Sequence, residues 1–233
     1  MARVVFQAVA GTIAQIWRYP IKSMAGERLE STAITPGGLE GDRRWTLVDG
    51  SPNRAGKMLT NTQDARLMTY KARLVGNGVE VTTPSGSVER LGNGLVSHLA
   101  QTVERPITLR DSAGINFDDS HVLIVNLSTI HAFALSAGAD IDPRRFRANF
   151  YVEGLEPEEE VRWVGQRIRA GSAELEVVKR CERCVVITRD PDTTEATPAL
   201  LRVLTETNDT CMGVYCRVAQ PGTASVGDLI GPG

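Results

Sequence analysis

Short blocks of alternating apolar and polar residues fill most of the chain, and a period of two marks half-buried β-strands. Ile13, Ile16, Trp17 and Tyr19 predict a strand over residues 12–19. Pro20 stops it, because its ring removes a backbone donor and pushes Tyr19 towards an extended conformation. Residues 21–26 read as a turn, 28–34 as a second strand and Pro36-Gly37-Gly38 as a break. Further strands are expected at 41–50, 66–75 and 78–83, the last two joined by a hairpin turn at Gly76-Asn77-Gly78. The spacing becomes helical over 91–103. His121 to Asn126 reads as a buried strand, and Ser128 predicts the cap of a helix running to Ala137 and closed by Gly138. A hairpin around Gly171, a short helix over 199–206 behind Thr197-Pro198, and strands at 214–218 and 224–230 complete the pattern. Many strands and few helices predict a mainly β protein with some α, barrel-like rather than doubly wound.

Two of the alternating blocks carry charge. Between Gly41 and Gly50, strand alternation puts Arg43 on a face with Trp45 and Leu47, and a charge among apolar neighbours needs an anionic partner from the protein or from a ligand. Between Asp142 and Val152, alternation puts Phe146, Ala148, Phe150 and Val152 on one face and Arg145, Arg147 and Asn149 on the other, an anion-seeking surface behind a core face. Structural salt bridges to Asp42, Asp142 or Glu153 are the competing reading for these arginines. Residues 112–120 read as a polar loop between layers, and the acidic run from Glu153 to Glu160 as a solvated loop that could dock a redox partner.

Composition narrows the class. The 233 residues are 42% hydrophobic and 23% charged, which is enough for one large domain or two smaller ones with a real core. A formal charge of −2 gives no basic footprint for nucleic acid or a membrane surface. The apolar run at residues 4–6 is too short for a signal-peptide core, and no segment approaches membrane-spanning length. With four cysteines, too few for a disulfide scaffold, the expectation is a reduced, cytoplasmic protein.

The densest chemistry lies at Lys179-Arg180-Cys181-Glu182-Arg183-Cys184, directly before a β-branched run. Nearby cations favour thiolate over thiol, so a cysteine here could be a nucleophile or a metal ligand. A zinc or iron–sulfur site completed by Cys211 and Cys216 fits the spacing poorly, a redox disulfide lacks its strand-to-helix context, and a buried structural pair is the plainest alternative. In an extended chain, residues three apart face opposite ways, so one thiol can meet a ligand while the other packs. His98, His121 and His131 show no ligand spacing and are assigned no chemistry, which argues against a cysteine–histidine catalytic pair.

Taken in order, Tyr19-Pro20-Ile21-Lys22-Ser23, Gly41-Asp42-Arg43-Arg44-Trp45, Arg145-Phe146-Arg147-Ala148-Asn149, Cys181-Glu182-Arg183-Cys184, Asp190-Pro191-Asp192-Thr193 and Val226-Gly227-Asp228 resemble the MOSC family. The closer likeness is to its branch of amidoxime-reducing components and bacterial reductases of N-hydroxylated compounds. The resemblance implies a β-barrel-like MOSC fold, with an N-terminal β-barrel region over 1–110 and the MOSC domain over 111–233. It also implies a molybdenum cofactor of the pterin-dithiolene (molybdopterin) type. Cys184 would be the metal ligand and catalytic centre, and Lys22, Ser23, Arg43 and Arg147 would hold the pterin phosphate, with Arg145 and Asn149 beside them. The activity implied is molybdenum-dependent reduction of small N-hydroxylated or N-oxide substrates, fed by a separate electron-donating reductase. The alternative is a cofactor carrier or sulfur-transfer protein that turns over no organic substrate. The chain departs from the family pattern at Thr60-Asn61-Thr62, where relatives carry Thr-x-Arg, and at Met212-Gly213-Val214-Tyr215, where they carry Phe-Gly-x-Tyr.

Overall fold

The computed structural model describes residues 9–112, 116–117 and 119–233, so the apolar run at 4–6 and part of the 112–120 loop lie outside the described residues. The first half of the chain supplies β1 (Gly11–Arg18), β2 (Glu27–Leu29), β3 (Ser31–Thr35), β4 (Gly38–Leu39), β5 (Trp45–Asp49) and β6 (Met58–Leu59). After a 3-10 turn at Ala65–Thr69 follow β7 (Lys71–Val75), β8 (Gly78–Thr82), β9 (Val88–Arg90), α1 (Asn93–Thr102) and β10 (Ile107–Asp111). The second half supplies β11 (Val122–Asn126), α2 (Leu127–Ala137), β12 (Phe150–Glu153), β13 (Arg167–Ala170), β14 (Ala173–Glu182), α3 (Ala199–Asn208), β15 (Cys211–Gln220), β16 (Gly222–Ser225) and β17 (Leu229–Gly231).

Seven strands close into a barrel in the order β12-β11-β15-β14-β13-β17-β1, with β1 pairing back onto β12 and β2 continuing the β1 edge that meets β17, at its Ile16–Arg18 end. Closure depends on β1, which pairs Gly11 with Ile230 on one side and Thr12 with Glu153 on the other. Alternate residues of these strands fill the interior. Ile13, Ile16, Phe150, Val152, Val177, Val214 and Cys216 meet there around Trp163. The outer face of the same sheet is covered by α2 and α3, with Leu123, Val125, Tyr151 and Cys181 packing against Phe133, Leu200 and Leu204. β11 therefore contributes to both cores, and this explains why its sequence is almost continuously apolar. A separate core in the first half joins the β10-β5-β6 and β7-β8-β9 sheets to α1 through Leu47, Leu59, Val79, Val81, Leu95 and Leu99.

Local signals set most boundaries. Gly76 adopts φ +56° in the two-residue turn that pairs Val75 with Gly78, and Gly138 closes α2 at φ +59°. Asn126, not Ser128, caps α2: its side chain accepts from the Ser128 amide at 3.0 Å. Four other expectations are corrected. The third strand begins at Trp45, and Arg43 lies before it in a turn with φ +49°. The 142–149 block is a 3-10 turn (Pro143–Phe146) followed by Arg147 at φ +53°, so a turn, not a continuous strand, buries Phe146 and Ala148. The 66–75 strand is shortened to β7, because Asp64 caps the 3-10 turn before it by accepting from the Arg66 amide. Finally, the acidic run is not wholly solvated, since Glu159 and Glu160 are buried. Glu160 accepts from the Asn126 amide and the Thr129 hydroxyl, both at 3.3 Å, at the start of α2. Burial raises the Glu160 pKa above the usual carboxylate range, against the pull of these donors.

Candidate functional site

A cavity of about 540 Å³ opens where the end of β14 meets the turns that precede β5 and β12. Lys22, Ser23, Arg43, Arg145, Arg147, Asn149 and Cys184 all line it, although they come from four separate segments. The lining carries seven lysine or arginine side chains and two carboxylates, in a chain whose net charge is −2. Basic side chains thus converge here, four of them paired with carboxylates.

Two of the cavity cations and the neighbouring Ser23 sit on unusual backbone. Ser23, Arg43 and Arg147 adopt φ of +73°, +49° and +53°, a left-handed conformation that costs non-glycine residues about 1 kcal/mol or more each. Surrounding bonds fix it. The Arg43 amide donates to the Tyr19 carbonyl at 2.8 Å, and the Lys22 amide to the Trp45 carbonyl at 2.8 Å. Lys22 Nζ reaches the Asn116 carbonyl at 2.7 Å, and Arg43 Nη2 the Arg147 carbonyl at 3.1 Å.

Asp42 organises this end. Its carboxylate accepts from the Tyr19 amide at 2.7 Å, from Asn149 Nδ2 at 3.0 Å and from Arg43 Nη1 in a close ion pair. The salt-bridge reading is therefore correct for Arg43 with Asp42. Arg145 pairs instead with Asp190 at 3.1 Å, while Asp142 is taken by Arg144. The amides of Thr193 and Asp192, with the Arg145 charge, hold Asp190 below the usual carboxylate range. Arg145 is 8% exposed, yet its Nε and Nη1 lack a hydrogen-bond partner among the described residues. Buried donors of this kind call for an acceptor in the cavity. Asn149 is different: its amide nitrogen donates to Trp17 O and Asp42, and its oxygen accepts from the Leu123 amide. Its side chain ties β1, β11 and the Asp42 turn together.

Cys184 lies just beyond β14, at the start of the Val185–Thr188 3-10 turn, with its side chain exposed; Cys181, on β14, is fully buried. The two thiols are unequal, as expected for residues three apart. The cations of the segment, however, serve other partners than Cys184. Lys179 pairs with Asp119 at 2.5 Å, Arg180 with Asp209 at 3.2 Å, and Arg183 Nη1 donates to Cys181 Sγ at 2.8 Å. Arg183 also donates to the Phe146 carbonyl, which joins the Cys184 segment to the turn bearing Arg145 and Arg147. The four-cysteine metal site that the spacing already fits poorly is also opposed by the geometry, because Cys216 packs in the barrel core while Cys181 belongs to the outer one. Among the described residues no group of three or more His, Cys, Asp or Glu side chains could hold a metal ion.

Tyr19 is given no role by the sequence, which offers Asp42 only as a salt-bridge partner for the arginines and Arg183 only as a cation beside the thiols. Their further contacts, of Tyr19 with Ala148, Asp42 with Tyr19 and Asn149, and Arg183 with Phe146, join separate segments, which no spacing reveals.

Two family models match the chain, the MOSC domain over residues 100–231 and the MOSC N-terminal beta barrel domain over residues 10–118. The chain belongs to the MOSC family. Among curated relatives, it is similar to the molybdenum cofactor sulfurase of Caenorhabditis briggsae, at 26% identity over 246 residues covering 91% of this chain and 34% of that protein. It is also similar to mitochondrial amidoxime reducing component 2 of Rattus norvegicus, at 26% identity covering 78% of this chain and 68% of that one. The human component 1 aligns at 24% identity, with 78% and 67% covered. The chain thus spans about a third of the length of the sulfurases it matches. Among solved structures, the YUAD protein from Bacillus subtilis superposes with a TM-score of 0.54 at 18% identity, covering 95% of this chain and 94% of that one, a likeness of fold.

Proposed function

We propose that the protein is a molybdenum-cofactor-dependent oxidoreductase that reduces N-hydroxylated or N-oxide compounds. The observation that carries this reading is the convergence, in one cavity, of a single exposed thiol with an arginine-rich anion site. Soft thiolate ligation suits molybdenum, and a phosphate dianion suits several forked guanidinium donors. The residues fit such a cofactor: the unsatisfied Nε and Nη1 of Arg145 require an anionic or acceptor group at that end, and Cys184 supplies an accessible sulfur. Lys22, Ser23, Arg43, Arg145 and Arg147 would hold the phosphate, Asn149 and Asp42 would keep Arg43 in place, and Cys184 would ligate the metal. The names of the relatives, molybdenum cofactor sulfurase and amidoxime reducing component, agree with this assignment.

When bound, the cofactor supplies two-electron chemistry at the metal, by which an N–OH compound, two electrons and two protons become the N–H compound and water. The chain contributes cofactor binding, orientation and a cation-lined approach for the substrate. Electrons come from a separate reductase. Cytoplasmic placement is part of the proposal, although the amidoxime reducing components it resembles are named mitochondrial. Among the described residues, no helix is long and apolar enough to cross a membrane.

Metal and pterin analysis of anaerobically purified protein tests the reading. Stoichiometric molybdenum that disappears in Cys184→Ala supports it; zinc or iron without molybdenum refutes it. Reductant-dependent turnover of a panel of N-hydroxylated compounds then separates a reductase from a carrier or sulfur-transfer protein, which would hold molybdenum without turnover.

A further inference from the structure

Arg43 and Arg147 meet on one aromatic ring that the proposed function does not use. Tyr19 is 3% exposed, and its ring centroid lies 4.8 Å from Arg43 Cζ and 4.5 Å from Arg147 Cζ. The ring is fixed from several directions. Its hydroxyl donates to the Ala148 carbonyl at 3.2 Å, its amide donates to Asp42, and its carbonyl accepts from Arg43. The Trp17 ring stacks beside it with centroids 6.5 Å apart and planes 21° from parallel.

Two guanidinium groups gathered on one ring repel each other, a repulsion that the Asp42 carboxylate beside Arg43 reduces. A π face attracts both, because the ring carries a negative quadrupole along its normal, and the attraction grows on desolvation. Burial raises the pKa of Tyr19, with the two arginines pulling against it, so the ring is a neutral phenol and not a counter-ion.

We propose that Tyr19 is a positioning residue for the anion end of the cavity, its ring holding Arg43 and Arg147 at a fixed separation so that a phosphate-type dianion meets both at once. The inference rests on the reading that these two arginines receive the anionic group. Preorganisation of this kind strengthens binding by removing the need to gather mutually repelling side chains when the ligand arrives. The competing account is that Tyr19 only fills space.

The test uses the full chain from cells unable to make the pterin, with inorganic pyrophosphate as probe and calorimetry as readout. Tyr19→Phe keeps the ring and should bind within about twofold of the parent, because the cation–π contact needs no hydroxyl. Pentafluorophenylalanine at position 19 keeps nearly the same shape but reverses the quadrupole. It should weaken binding about tenfold relative to Tyr19→Phe, as expected for a desolvated cation–π pair. A space-filling role predicts equal affinity for these two variants, and that result overturns the inference. Tyr19→Leu gives a second comparison, with a similar loss expected; affinity within twofold of the parent counts against the inference. Arg43→Ala and Arg147→Ala are the controls. If they weaken pyrophosphate binding and fluorination does not, the positioning role alone fails; if neither weakens it, the anion reading fails as well.

Discussion

Asp42→Asn tests how the left-handed turn at Arg43 is held. Asp42 is 3% exposed and Arg43 is 9% exposed, so their ion pair is screened little by water. The substitution preserves volume but turns an acceptor into an amide, which faces the donors of Arg43 and Asn149. Breaking a buried ion pair from one side costs about 3–5 kcal/mol, since the remaining charge keeps its desolvation penalty. The Tyr19 amide can still be satisfied by the asparagine oxygen, which places the expected loss near the lower end, about 3 kcal/mol. Urea unfolding should therefore show a lower midpoint with an unchanged slope. The double variant with Arg43→Met removes the facing charge and should recover about 1–2 kcal/mol relative to Asp42→Asn alone, a coupling that a double-mutant cycle measures directly. A loss below about 1 kcal/mol for Asp42→Asn, or strict additivity in the cycle, would refute the argument that Asp42 holds this turn through charge.

Glu160 and the cysteines give two further tests. Burial raises the folded pKa of Glu160, so the folded state holds its proton more tightly than the unfolded one. Its contribution is fully present below the unfolded carboxylate range and is lost as pH rises through the folded pKa. Glu160→Gln should accordingly flatten the decline in stability across that window, and identical pH profiles for parent and variant would contradict the assignment. Iodoacetamide followed by peptide mapping should label the exposed Cys184 first and the half-buried Cys211 roughly tenfold more slowly or less, because burial both shields that thiol and raises its pKa. Cys181 and the core Cys216, whose thiol burial also pushes up, should react only on unfolding.

The parts of the fold legible in the sequence were those written in short-range chemistry. The unbroken apolar run of β11, the Gly76-Asn77 hairpin turn and the glycine stop of α2 each follow from neighbouring residues. Alternation failed where a turn buries residues in the same order as a strand would: Phe146 and Ala148 lie inward, but through a 3-10 turn and a left-handed Arg147. The run of glutamates gave no sign that Glu160 would turn inward, because its partners on Asn126 and Thr129 lie more than thirty residues away. The candidate site was legible through the order of its motifs, which named the residues lining the cavity. What the motifs could not convey is how those residues hold one another. The Tyr19 hydroxyl meets a carbonyl 129 positions away, and Asn149 reaches Asp42 across 107.

The closure of the barrel by β1 has a consequence for how the chain is made. Gly11 pairs with Ile230, so β1, once synthesised, waits for a strand made more than 200 residues later. At about 5–20 residues per second, translation between those positions takes on the order of 10–45 s. During that interval β2 covers only the Ile16–Arg18 end of this edge of β1, the Gly11–Thr12 end that will meet β17 stays open, and open strand edges recruit other chains. The core around α1, by contrast, is built from residues 21–109 and can form while the rest is still being made. Barrel closure is then a late, long-range event, of the kind that makes β proteins slow to fold. Truncation before β17 should leave the first-half core folded and the barrel open, and such chains should aggregate through that edge.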